Sequence, residues 1–423
     1  MRRALWVELR RGTAPVAALA MFGAGVWVLA VHPDDWGGRW VGLADYLRVT
    51  LLVLCPLMVS AGAWQAGRER RRDIGELIAA TPRPGWHSLV AAWLAVTLAG
   101  IAGLVLAFAG AAVLVARVAT YGGGDWWQRA SVGVLALAAA SAGGVLVGRR
   151  VRLRVAAPIA GLATYVGLGI LTYWNVAPAR LSPAYDGRRM YSLVPEWVTG
   201  LQATWLVALT VLLLAVAVRR WRVALLAGGV AVAAAVPIST GPSWNRAPAD
   251  PAAVELVCTS GGPEVCLTRV NAFLLDEVAA VAQPILARLD GIPGAPRRAV
   301  DQAVRPPGAS VSEDADTVWL DLDFQATAFG GLVKAEDLRT AFRQETGWKC
   351  SYSLGTDEFD QRIDQVENIA TDWLLDGSVL WAKGASAGLR ELPPSAQRAW
   401  YADYLDAVGR CDLPALVRLA EQP

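Results

Sequence analysis

The chain is 423 residues long, 55% hydrophobic and 18% charged, with its apolar residues in long unbroken runs. Soluble domains carry about a quarter charged residues, so this composition excludes an ordinary soluble protein and points to a membrane one. The formal net charge is only +2 and the arginines form short clusters beside apolar runs rather than a stripe, so no nucleic-acid partner is expected.

A helix that crosses about 30 Å of hydrocarbon needs roughly 20 apolar residues. Seven charge-free runs approach that length: Ala14 to Val31, Val49 to Ala66, Ser88 to Ala116, Ala130 to Gly148, Val155 to Trp174, Gly200 to Val218, and Val223 to Ile238. The last is short for a span, and an interfacial or re-entrant segment is the alternative there. Cys55-Pro56 inside the second run marks a local kink, with Cys55 a buried small apolar residue. Gly144-x-x-x-Gly148 would let two helices approach closely, as at an interface between paired subunits, although in so Ala- and Gly-rich a run chance spacing is at least as good a reading.

Positive charge beside a span is retained in the cytoplasm. Arg2, Arg3, Arg10 and Arg11 precede the first run, and Arg68, Arg70, Arg71, Arg72 and Arg83 follow the second. Arg149, Arg150, Arg152 and Arg154 follow the fourth, and Arg219, Arg220 and Arg222 the sixth. These clusters occupy alternate connections, whereas the others are rich in Trp and Tyr. The amino terminus is therefore expected in the cytoplasm and, after seven crossings, the carboxyl-terminal region outside a plasma membrane. None of the seven runs contains Asp, Glu, Lys, Arg or His, which disfavours an ion-coupled carrier with a relay at mid-membrane. No G-x-x-x-x-G-K-[ST] pattern occurs, so ATP-driven movement of a solute would require a separate ATPase.

The connection 67–87, between the second and third runs, is the most informative segment. Asp73 can accept from the backbone N–H of Glu76, and Glu76 stands at the reciprocal position of a capping box. Ile74, Leu77 and Ile78 then share a helical face, and Thr81-Pro82 ends the helix because the residue before proline disfavours the α region. A two-turn amphipathic helix of this kind lies in the headgroup layer or fills a groove on a partner.

The stretch Arg71-Arg72-Asp73-Ile74-Gly75-Glu76-Leu77-Ile78-Ala79-Ala80-Thr81-Pro82 resembles the loop after the second span of ABC-2 type permeases, the membrane subunits of ATP-driven exporters. It matches that family's pattern at both arginines, Glu76, Leu77, Thr81 and Pro82, and departs from it at Asp73-Ile74, where Gly-Thr is usual. The resemblance implies a coupling helix from Asp73 to Thr81 seated on a nucleotide-binding ATPase subunit. Arg71, Arg72, Asp73, Glu76, Leu77, Ile78, Thr81 and Pro82 would be its contact set. It also implies pairing with a second permease subunit and no catalytic residue or cofactor in this chain.

Beyond Pro237 a polar, Pro-rich stretch reads as a linker, 241–252, ahead of a domain spanning 253–423. Val254 to Cys258 and Val265 to Thr268 suggest a hairpin, Val270 to Leu289 a helix, and Arg297 to Val304 with Val318 to Phe324 further strands. Helices are expected over Ala335 to Glu345, Glu358 to Leu375, Ser395 to Val408 and Leu413 to Glu421. The expected fold is thus an α-helical polytopic membrane domain of about seven transmembrane helices plus a small extracytoplasmic α+β domain.

Four of the five cysteines lie in the second domain, an even number in a compartment where disulfides persist. Proximity favours Cys258 with Cys266 and Cys350 with Cys411, among three possible connectivities, with buried free thiols as the alternative. The only histidines, His32 and His87, lie outside this domain, which excludes a His-based triad there, and no H-E-x-x-H zinc pattern occurs. Asp321 and Asp323 alternate with Leu320 and Leu322 and read as the solvent face of a strand rather than a carboxylate pair. The arrangement of spans followed by a cysteine-bearing outer domain is similar to a group of ABC-2-like permeases from high-GC Gram-positive bacteria. A membrane-anchored extracytoplasmic binding or sensing protein without transport activity is the competing expectation.

Overall fold

A computed structural model describes residues 2–71, 85–173, 177–184, 191–193, 195–241, 248–305, 316–323, 325–347 and 357–421. The chain divides into two compact units, Met1–Asp250 and Pro251–Pro423.

The first unit is helical. A polar helix, α1 (Arg2–Arg11), precedes α2 (Ala14–Val31) and α3 (Trp40–Ala66), and a single turn, α4 (Arg68–Arg71), continues α3. Then come α5 (Gly85–Val118), α6 (Trp126–Arg150), α7 (Ala156–Tyr173), α8 (Glu196–Ala217) and α9 (Trp221–Thr240). Seven of these, α2, α3 and α5 to α9, are long and apolar enough to cross a membrane, which makes this a multi-pass membrane protein. The seventh run, short in the sequence, becomes a helix of 20 residues. Leu19, Trp27, Leu106, Leu162, Leu225 and Leu226 stand exposed, as lipid-facing residues do.

Two spans carry buried charges beyond their charge-free runs. α3 begins at Trp40 and α6 at Trp126, so both take in ionisable residues: Asp45 and Arg48 in α3, Arg129 in α6, all buried. The expectation of spans free of charge is corrected accordingly. A run is cut where a charge appears, but a helix continues wherever that charge finds partners inside the protein.

α3 and α6 form the tightest pair. A Cβ added to Gly144 would lie 2.1 Å from the Val59 carbonyl oxygen, one on Gly148 2.3 Å from that of Ala63, and one on Gly62 2.4 Å from that of Ser141. Small residues on both helices let the backbones touch, so Gly144-x-x-x-Gly148 is spent on a contact within the chain. α2 packs on α5 in the same way, with Gly103 against the Ala18 carbonyl, and α7 packs on α3 with Gly161 against Ser60. Leu51, Leu54 and Met58 of α3 meet Met21, Val96, Leu137 and Leu206 in the shared core, alongside the free thiol of Cys55, with Pro56 carried inside α3.

The second unit is a small α+β fold. Strands β1 (Leu256–Cys258), β2 (Glu264–Thr268), β3 (Arg298–Asp301) and β4 (Thr317–Leu320) form one sheet in that order, antiparallel between β1 and β2 and parallel thereafter. The parallel connection from β2 to β3 requires a crossover, and α10 (Leu275–Leu289) supplies it. Val265, Leu267, Ala299, Val318 and Leu320 pack with Val278, Ala282, Ile285 and Leu286 of that helix. Helices α11 (Ala335–Thr346), α12 (Asp357–Leu374), α13 (Ala387–Glu391), α14 (Pro394–Arg410) and α15 (Leu413–Glu421) complete the core, chiefly through Phe342, Val366, Trp373, Tyr401 and Leu416. Trp319 is buried with Cys266 and Val300, so both faces of β4 are covered and the expected solvent face of that strand is corrected. Asp321 and Asp323 are exposed beyond the strand end, where the Asp321 carboxylate accepts from the Asp323 N–H at 3.0 Å. They shape a turn.

Candidate functional site

Of the residues expected to contact an ATPase, Arg71 alone falls among those described. Arg72, Asp73, Glu76, Leu77, Ile78, Thr81 and Pro82 lie outside the described residues. The root of their loop is tied to α1. The Glu8 carboxylate of α1 accepts from Arg68 at 2.6 and 2.8 Å and from Gln65 Nε2 at 2.6 Å. Gln65 Oε1 in turn accepts from the Thr13 N–H at 3.1 Å and its hydroxyl at 2.5 Å. Glu8 is the one acid in a helix of four arginines. It couples the amino-terminal helix to the last turn of α3, where the loop begins.

The same end of the bundle gathers the arginine clusters. Arg150 donates to the Val216 carbonyl at 2.8 Å, joining the ends of α6 and α8, and Arg220 lies over the Trp86 ring at the start of α5. Arg71 donates to the Trp64 carbonyl at 2.5 Å with its guanidinium 4.5 Å from the ring centre. Partial burial, then the like charges of Arg154 and Arg68, lower its proton affinity from the usual arginine range.

A second polar cluster closes the opposite end. Arg129 reaches Asp45 at 2.5 Å and the Ser192 carbonyl at 2.8 Å, with its side chain 1% exposed. Arg48 donates to the Pro183 carbonyl at 3.2 Å. Ser192 bridges to Ala249, flanked by the Leu193 N–H on the Pro248 carbonyl at 3.0 Å and the Asp250 N–H on the Tyr191 carbonyl at 2.8 Å. The Tyr121 hydroxyl donates to the Asp250 carboxylate. Two buried arginines therefore pin the connection between α7 and α8, and that connection holds the last residues of the first unit. Trp40 stacks on Trp126 with ring centres 4.9 Å apart, joining the first residues of α3 and α6. Sequence reading missed Asp45, Arg48 and Arg129 because they sit just beyond apolar runs. The signal that could have found them is a lone charge within a turn or two of Trp at the start of a span.

In the second unit Cys258 and Cys266 face each other across the β1–β2 ladder and are disulfide-bonded. Cys411 is disulfide-bonded as well, while Cys350, expected as its partner, lies outside the described residues. Cys258, Glu264 and Cys266 place three potential metal donors together, but the disulfide occupies both thiols. A cavity of about 160 Å³ is lined by Arg343, Thr346, Glu367, Thr371, Tyr401 and Tyr404, among others. Burial pushes the Tyr401 hydroxyl well above the usual phenol range, so it stays protonated and able to donate. Nearby, Asp372 is buried and accepts from the Ser386 hydroxyl and N–H and from the Gly384 N–H. Desolvation opposes its ionisation, but these bonds and the Arg390 charge hold its carboxyl below the ordinary range. No protein-family model, curated protein or solved structure matches this chain.

Proposed function

We propose that the chain is the membrane subunit of an ATP-driven exporter of the ABC-2 type, coupled to a separate ATPase through residues 73–81. The observation that carries this reading is the Arg71-to-Pro82 sequence pattern directly behind the second span, which has the residue spacing of a capping box and ends in Thr-Pro. The junction of Glu8, Gln65 and Arg68 supports it, because a force on the loop would pass into α1 and α3 together. In this reading the arginine-rich end faces the cytoplasm, the second unit stands outside the cell to gate or receive cargo, and a second permease subunit completes the pathway. ATP hydrolysis belongs to the partner chain.

Co-purification of the full-length chain from its native membrane should recover a nucleotide-binding subunit. Glu76→Arg and Leu77→Arg together should cut that recovery by on the order of tenfold, as loss of a buried contact pair does. Recovery of an ATPase that ignores both substitutions refutes the docking site; recovery of none refutes the function.

The cavity beside Tyr401 favours a second reading, a membrane-anchored binding protein whose spans hold the second unit in place. That protein would bind a small polar ligand, and no ATPase would copurify with it.

A further inference from the structure

We infer that the chain holds an anionic phospholipid at the arginine-rich end, its phosphate between Arg71 and Arg154 and one acyl chain along α7.

α7 packs along α3 with Gly161 against Ser60. As the fifth and second of seven spans they run in opposite directions, so following α7 back seven residues from that contact brings Arg154 level with the residues just past the end of α3. Trp64 lies one turn beyond Ser60 on the face of α3 that meets α7, and the Arg71 guanidinium lies over its ring, so Arg71 and Arg154, from separate connections, border the same surface; the Arg154 charge is among those that lower the proton affinity of Arg71. Arg68, the third guanidinium there, is already held by Glu8. Among the described residues no carboxylate pairs with Arg71 or Arg154. Two like charges brought together at a partly desolvated surface call for an anion between them, and a phosphate diester takes hydrogen bonds from both guanidinia.

The surroundings select a lipid over a free ion. Trp64, 45% exposed, lies under the Arg71 guanidinium, which is the arrangement of an aromatic at the headgroup level. α7 is the least covered of the seven spans, with only Ala157 and Gly161 of its 18 residues buried. Its exposed Val155, Ile159, Leu162, Val166 and Ile170 are spaced by three or four residues and form one stripe that starts directly after Arg154. From Val155 to Val166 the helix rises about 16 Å, close to half of the roughly 30 Å hydrocarbon core and hence to the depth of one leaflet. Charge and apolar stripe run on without a break, which matches a headgroup and its acyl chain. The assignment also moves Arg71 out of the ATPase-contact set and into the lipid interface.

The test is native mass spectrometry of the full-length protein in mild detergent, titrated with phosphatidylglycerol, with phosphatidylcholine, or with inorganic phosphate alone. Wild type should retain phosphatidylglycerol over phosphatidylcholine by on the order of tenfold, the scale set by two arginines at an anionic surface. Arg71→Gln with Arg154→Gln should abolish the preference. Arg222→Gln, an exposed arginine at the same end, should keep it. Arg154→Gln alone, at an exposed position outside any helix, should cost several-fold in retention without touching the fold and serves if the double variant fails to assemble. Inorganic phosphate at equal concentration should fail to displace the lipid. Equal retention of both lipids by wild type overturns the proposal. So does a preference that survives the arginine substitutions, displacement by phosphate alone, or a dimer seated on α7 that excludes lipid.

Discussion

Among the described residues of the first unit Arg129 is the most completely buried charge, and its partner Asp45 is buried with it. Removing one member strands the other in a low-dielectric site. Arg129→Met should therefore lower stability by about 3–5 kcal/mol. Adding Asp45→Leu should return most of that loss, a rescue read by thermal unfolding of the purified protein. If the double variant is no better than the single one, the pair is not the source of the effect. Gly144 makes a second residue-scale case, because a side chain there meets the Val59 carbonyl at 2.1 Å. Gly144→Leu should cost about 1–3 kcal/mol through overpacking. Gly143→Leu, where an added Cβ approaches nothing closer than 3.9 Å, should be tolerated in the same assay. Asp372 links stability to pH. Its carboxyl titrates lower in the folded unit than in the unfolded chain, so its contribution is complete above the unfolded value near 4 and lost as pH falls through the folded one. The melting temperature of the second unit's transition should thus drop between pH 5 and pH 3, and Asp372→Asn should flatten that drop. Asp376, held low first by its bond to Arg390 and then by the Arg288 charge, adds in the same direction.

At the level of elements, the spans were legible because composition alone marks them: twenty apolar residues have few other uses. Their limits at one end were not. Charge-free runs stop at Val49 and Ala130, yet α3 and α6 carry on through Asp45 and Arg129, since side chains from neighbouring helices and loops satisfy those charges. Helix α1 escaped for the opposite reason: it is too polar to resemble a span, and its role rests on Glu8 meeting residues more than fifty positions away. The β1–β2 hairpin was readable from two cysteines flanking a Gly-Gly-Pro turn, and the helices of the second unit from their periodicity. Parallel pairing of β2, β3 and β4 was not readable, because strands of four or five residues carry no register signal beyond the helix that joins them.

For the whole molecule, alternation of charged connections fixes which parts share a side. Arg68, Arg150 and Arg220 belong to the end where α3, α6 and α8 finish, while Tyr121, Arg129 and Asp250 belong to the other. Orientation in the cell is then a single binary question. In a Cys55→Ser background, a membrane-impermeant maleimide applied to intact cells should label Gly122→Cys and leave Arg152→Cys unlabelled. The reverse pattern would place the second unit in the cytoplasm and remove the proposed docking of an ATPase at residues 73–81. The candidate coupling segment was legible as a motif, and the ionic cluster that pins the opposite end was not, because it is assembled from four separate stretches of chain. The lengths of the spans carry one more consequence. At 1.5 Å per residue, the 18 residues of α2 and of α7 reach about 27 Å, whereas the 27 residues of α3 reach about 40 Å. α2 and α7 are mostly exposed to lipid while α3 is the most buried span, so the mismatch of the two short spans falls on the perimeter beside them. The annulus around α2 and α7 should thin to meet them, and the protein should sort toward the thinner bilayers of a cell.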